Sequence, residues 1–157
     1  MGEKSARKGG QLESERPTRD DLANIEAHTR SLLDIVTKSP AMEIGVIVER
    51  RLTDSELSRL ASAPVLLFSL REHDGGYWEQ VLEMEPQIDV IHSACPLDDN
   101  VRQLDLAGLG FILQLSRRNA YSARIVSGAS VSWCERLADL TLVTLLQVEA
   151  ARSDLLS

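Results

Sequence analysis

The feature that most constrains this chain is a leucine-rich pattern at spacings of three and four, cut into short pieces by residues that start and stop helices. Leu22, Ile25, Thr29, Leu32, Leu33 and Val36 fall on one face of a helix, with Glu26, Arg30 and Asp34 on another at intervals of four and in alternating sign. The segment begins at Pro17-Thr18, where Thr18 is placed as an N-cap and Asp21 as the acid of a capping box. It ends at Ser39-Pro40, because the residue before proline avoids helical dihedrals. The signal recurs in Leu52-Thr53-Asp54-Ser55-Glu56-Leu57. Here Thr53 and Glu56 form a capping box and Leu52 and Leu57 sit at staple positions, for a helix running through Leu60 towards Pro64.

The apolar run Val65 to Leu70 fits a strand or a buried helix, and periodicity alone does not decide. Asp74-Gly75-Gly76 reads as a turn before a short helix from Tyr77-Trp78 to Met84. From Val101 the period is helical again through Leu104, Leu106, Leu109, Ile112, Leu113 and Leu115, with caps offered by Asp98-Asp99-Asn100. Gly108 and Gly110 each weaken that helix by up to ~1 kcal/mol relative to Ala, which implies that another backbone comes close. A helix over about 120–126 closes at Gly128, and Ser130 caps the next, through Trp133 and Leu137. Thr141, between staple leucines Leu140 and Leu145, starts a last helix. The reading is mainly α: small helical domains whose helices form subunit interfaces. The staple at Leu140-Thr141 repeats that at Leu52-Thr53 and points to an internal duplication, against the plainer account that leucine-rich helices share a common cap.

With aromatics at 4% of the chain, the core must come from Leu, Val, Ile and Ala. Residues 1–16 are polar and without period, and read as a disordered tail. Residues 17–86 form a first helical unit, 87–100 a connection between Pro86 and the caps, and 101–157 a second unit. No signal peptide or run of ~20 apolar residues is visible, and Cys95 and Cys134 lie far apart, so the expectation is a cytoplasmic protein with free thiols, not membrane-bound.

The net charge is −7. Residues 1–20 carry five Lys/Arg against four Asp/Glu, residues 21–86 six against twelve, and residues 87–157 six against eight. No segment has the basic surplus of a protein that grips phosphates unaided, so a partner would supply most of the positive charge at any DNA. The best basic cluster is Arg117-Arg118 with Arg102 and Arg124, the candidate DNA contacts; the alternative is charge offsetting a helix C-terminus. Arg50-Arg51 is a weaker one.

For other chemistry the signals are thin. His92-x-x-Cys95 has ligand spacing, but a structural zinc wants four ligands and no second pair exists, so no metal or cofactor is expected in this chain. His73-Asp74 beside Trp78 is read as a solvated loop with a half-buried indole, and Glu83 and Glu85 as a solvated face. No nucleophile elbow or phosphate loop is present, which argues against an enzyme. Leu106, Leu109, Leu113, Trp133, Leu142, Leu145 and Leu146, with Val148, are core or subunit interface.

Residues 104–156 resemble the FlhD family of transcriptional activator subunits. The resemblance rests on Leu106, Leu109, Leu115, Asn119, Ala123, Gly128, Leu137, Leu140 and Thr141, which follow the family's order of helices without a gap. Ala41-Met42 to Gly45 and residues 52–72 look like a shortened version of the same unit. The resemblance implies helical subunits that dimerise and join an FlhC-like subunit to activate flagellar or mobile-element genes, with the zinc and much of the DNA contact on the FlhC-like side. Two departures stand out: the chain ends at Ser157, where a usual member continues, and a tandem copy would replace the homodimer within one chain. The other function classes in play are an interaction protein that antagonises such an activator by occupying its partner, and a small enzyme of unknown chemistry.

Overall fold

The computed structural model describes residues 16–38, 52–83 and 99–151, and among them the chain is all helical. Seven helices follow in order: α1 Arg19–Lys38, α2 Asp54–Ala61, α3 Gly75–Glu83, α4 Asp99–Arg118, α5 Ala120–Ser127, α6 Val131–Ala138 and α7 Leu142–Ala151. The sequence expectations for the tail, Pro40, Arg50-Arg51, Pro86, most of the connection and His92-x-x-Cys95 lie outside the described residues.

The caps form as their residue types dictate. Asp21 Oδ2 accepts from both the amide and the hydroxyl of Thr18 at 2.7 Å, while Thr18 Oγ1 accepts from the Asp21 amide at 3.2 Å. Thr53 and Glu56 close the same box on α2. Asn119 Oδ1 accepts from the amides of Tyr121 and Ser122, Ser130 Oγ from Trp133, and Thr141 Oγ1 from Thr144. Gly128, at φ 76°, takes the left-handed conformation that ends α5, and its amide donates to the Arg124 carbonyl at 2.8 Å. Asp99 and Asn100 differ from expectation: both lie inside the first turn of α4, where Asp99 favours the positive end of the helix dipole.

α4 is the axis of the structure, packing against α1, α5, α6 and α7, while α2 packs on α1. α1 and α4 run antiparallel, because Asp21 near the start of α1 meets Arg118 at the end of α4, and His28 meets Phe111 midway. Ile25, Leu32 and Ile35 of α1 join Leu104, Leu109, Ile112, Leu113 and Leu115 of α4 in a single core that also holds Trp78, Ala123, Val126, Cys134, Leu137 and Leu145. Each large side chain buried there contributes ~1.5–3 kcal/mol. The few aromatics work hard: Trp78 and Trp133 meet edge to face at 5.3 Å, so α3 locks onto α6.

Residues 65–70 are neither strand nor helix. Phe68 and Leu70 are buried, and the loop satisfies its backbone elsewhere. The Leu66 amide donates to the Val126 carbonyl at 2.9 Å, and the Trp78 indole N–H lies 3.2 and 3.0 Å from the carbonyls of Leu70 and Arg71. Arg71 turns the chain with φ 54°, and its guanidinium sits over the Tyr77 ring. α3 begins two residues before the expected start, because the Asp74 side chain accepts from the Tyr77 amide and caps a turn that includes both glycines.

Candidate interaction surface

The arginine cluster is brought together only in part, and its best members have work inside the chain. Arg117 donates to the carbonyls of Ala138 (3.0 Å) and Leu140, tying the end of α4 to the α6–α7 junction. Arg118 donates to Asp21 Oδ1 across 97 residues. Burial pushes the Asp21 carboxyl up, but the bonds from Arg118 and Thr18 and the Arg118 charge outweigh it and hold it below the usual carboxylate range. One carboxylate thus caps α1 with one oxygen and anchors α4 with the other. Arg102 is half-buried on α4 and partnered within the chain. Of the four candidate DNA contacts, Arg124 on α5 is exposed and its side chain makes no such tie among the described residues, and the alternative of charge placed at a helix end describes Arg117 well.

The candidate interface residues split in two. Leu109, Leu113 and Leu145 are fully buried and Trp133 nearly so, all within this chain's own core, and Leu106 is half-buried against it. The four buried ones are therefore covered by this chain's own core; their period placed them on helices but not on the outer face. Leu142 and Leu146 are on the outer face, 57% and 39% exposed, and Val143, which that set did not include, is 63% exposed. α7 thus turns Leu145 and Val148 inward and shows a second apolar face to solvent. A further exposed pair, Tyr121 and Ile125 on α5, also went unselected; their signal is an apolar residue four positions from a tyrosine on a helix whose buried stripe is Ser122, Ala123 and Val126.

The titratable groups have local roles. Asp74 caps α3, His73 lies 3.5 Å from Glu72 at the surface, and the Trp78 indole is bonded to the loop. His28 Nδ1 is 2.7 Å from the Asn24 carbonyl, which fixes it as the protonated nitrogen. Its Nε2 is buried without a partner, and the ring centroid lies 5.3 Å from Phe111 and 6.5 Å from Phe68. An open groove of mixed polar and apolar lining between α1 and the start of α4 runs past Ser31, Asp34, Ile35, Asn100, Gln103 and Leu104, with Asp34 tied to Lys38. Cys134 is fully buried, and burial pushes its thiol up despite the nearby Ser116 and Ser127 hydroxyls. Among the described residues no group of three His, Cys, Asp or Glu is placed to hold a metal, and no helix is long and apolar enough to cross a membrane.

The expected backbone approach at the α4 glycines takes another form. A Cβ at Gly108 would lie 2.8 Å from two carbons of the Phe68 ring, whereas one at Gly110 would meet nothing within 4 Å. Compared with protein-family models, with curated proteins and with solved structures, the chain matches none.

Proposed function

We propose that this chain is a non-enzymatic regulatory subunit that pairs, through the outer face of α7, with an FlhC-like DNA-binding subunit in an activator of flagellar or mobile-element genes. The observation that carries this reading is the two-sided apolar character of α7. Leu145 and Val148 face the core, Leu142, Val143 and Leu146 face outward, and no charged residue lies between Asp139 and Glu149. A helix apolar all round is normally covered all round, so a partner surface is expected on the outer face. The inward use of Arg117 and Arg118, with a net charge of −7, favours DNA contact made mainly by the partner.

The test is multi-angle light scattering on the chain alone and coexpressed with an FlhC-like neighbour from its own genome. A stable co-eluting complex that Leu142→Glu with Leu146→Glu abolishes, without lowering the melting temperature, supports the reading. Its mass also tells a tandem copy from a homodimer, since the tandem requires one chain where a dimer would supply two. Tighter DNA binding by the complex marks an activator subunit, and loss of DNA binding an antagonist. A folded monomer that ignores the neighbour sinks the proposal.

A further inference from the structure

Among the described residues the large exposed apolar side chains are seven, and they fall into two groups. Leu142, Val143 and Leu146 belong to α7. The other four are Tyr121 and Ile125 of α5, Leu22 of α1 and Val65 of the loop before α3. Tyr121 (53% exposed) and Ile125 (49%) lie four apart on its outer face. The Arg118–Asp21 pair brings the first turn of α1, with the exposed Leu22, beside the corner that leads into α5. The Leu66 to Val126 hydrogen bond brings the exposed Val65 beside the other end.

The charge on α5 itself is opposite in sign to the chain's. Arg124 is exposed between Tyr121 and Ile125, and residues 120–128 contain no acid. Arg118, at the corner, keeps its side chain 55% exposed while paired to Asp21. Tyrosine and arginine, here at i and i+3 with an apolar side chain at i+4, are types enriched among the residues that carry energy in protein interfaces. Duplex DNA is the weaker fit, because a tyrosine and an isoleucine stand where phosphates would be met. A second copy is also disfavoured, since pairing α5 with itself would bring two Arg124 side chains together.

We infer that the outer face of α5 is a docking site for an acidic amphipathic helix from another protein, its apolar ridge seated on Tyr121 and Ile125 and its carboxylates facing Arg124. α5 is about 12 Å long, enough for about two turns of a partner helix. This site goes beyond the α7 contact and is independent of it, since the two faces share no residue.

The test uses the full chain as bait for a phage-displayed library of helical peptides, with enriched sequences resynthesised and measured by fluorescence anisotropy. Enriched peptides are expected to carry Leu, Ile or Phe at helical spacing with flanking Asp or Glu. Their affinity should fall at least tenfold on Arg124→Glu and on Ile125→Ser, stay unchanged on Leu142→Glu with Leu146→Glu, and drop with added salt. Unchanged circular dichroism melts confirm that the exposed substitutions leave the fold intact. Enrichment of basic or uncharged peptides, binding that depends on α7 instead of α5, no enrichment, or a mixed-sequence DNA duplex whose binding is lost on Arg124→Glu would each overturn the inference. Failure of α7 to capture the FlhC-like subunit leaves this test unaffected.

Discussion

Gly108 and Gly110 sit two residues apart on α4, and alanine at the two positions should act with opposite sign. At Gly110 the new methyl enters open space, so only the helix-propensity gain remains, ~0.5–1 kcal/mol. At Gly108 the same gain meets a clash: the methyl would lie 2.8 Å from Cε2 and Cζ of Phe68. Carbon atoms rest at ~3.5–4.0 Å, so the ring must retreat by about 0.7–1 Å. It is 7% exposed and lies against His28, so the retreat presses on packed neighbours. Overpacking of that kind costs ~1–3 kcal/mol, which leaves a net loss of up to about 2.5 kcal/mol, centred near 1 kcal/mol, after the helix gain. For a domain of this size the melting temperature should fall by about 3–6 °C for Gly108→Ala and rise by about 2–3 °C for Gly110→Ala. Phe68→Leu in the Gly108→Ala background should recover part of the loss, with a coupling energy of at least ~0.5 kcal/mol by urea denaturation. A rise in melting temperature for Gly108→Ala equal to that for Gly110→Ala, or strict additivity with Phe68→Leu, would refute the argument from the close approach.

Four further outcomes follow from the polar contacts and from burial. Asp21 has a folded pKa below its unfolded value of ~3.9, so its stabilisation is complete above that value and is lost as pH falls through the folded pKa; urea titrations should show stability falling below about pH 4 in the wild type and a flatter acid limb in Asp21→Asn. Arg118→Ala should cost about 1–2 kcal/mol at pH 7, since the guanidinium is half-exposed but leaves a buried carboxylate short of a donor, and it should raise the acid midpoint. Asn119→Ala, which strips the α5 cap of its acceptor for two amides, should lose ~1 kcal/mol by chemical denaturation, while Asn119→Asp should keep most of the stability. In a Cys95→Ser background Cys134 should react with a thiol reagent only at the rate of opening, and unfolding should expose it fully; fast labelling of the folded chain at pH 7–8 would contradict the burial that raises its pKa.

How much of this was legible in the sequence depends on the range of the interaction. Thr18, Thr53, Gly128, Ser130 and Thr141 act within one turn of their own position, and each local pattern led to the helix boundary that forms, whereas the Asn119 cap of α5 was not read from its pattern. Asp21 was legible only as a cap. Its second role depends on Arg118, 97 residues away, and no spacing rule reaches that far. Residues 65–70 were ambiguous because their apolar run has no period, and the structure resolves it as a loop whose amides and carbonyls find partners on α5 and α3. At Gly108 the small residue was legible but its neighbour was not, and that neighbour is an aromatic ring and not a backbone.

The interface candidates show where a helical period stops being informative. In α7 every position from Leu142 to Leu146 except Thr144 is apolar, so no stripe marks an inner side. The side that faces inward is chosen by α4, which receives Leu145 and Val148 and leaves Leu142, Val143 and Leu146 outside. α5 makes the same point with opposite means: its inward stripe is Ser122, Ala123 and Val126, small enough for close approach to α4, and its two largest apolar side chains, Tyr121 and Ile125, are pushed outward. A chain this lean in aromatics that still leaves Tyr121 half-exposed, beside an arginine and over a helix of small residues, has placed interface residue types on its surface and core residue types beneath them. Both exposed faces therefore follow from one property of the fold: α4 is covered by helices too short and too apolar to hide all of their own surface.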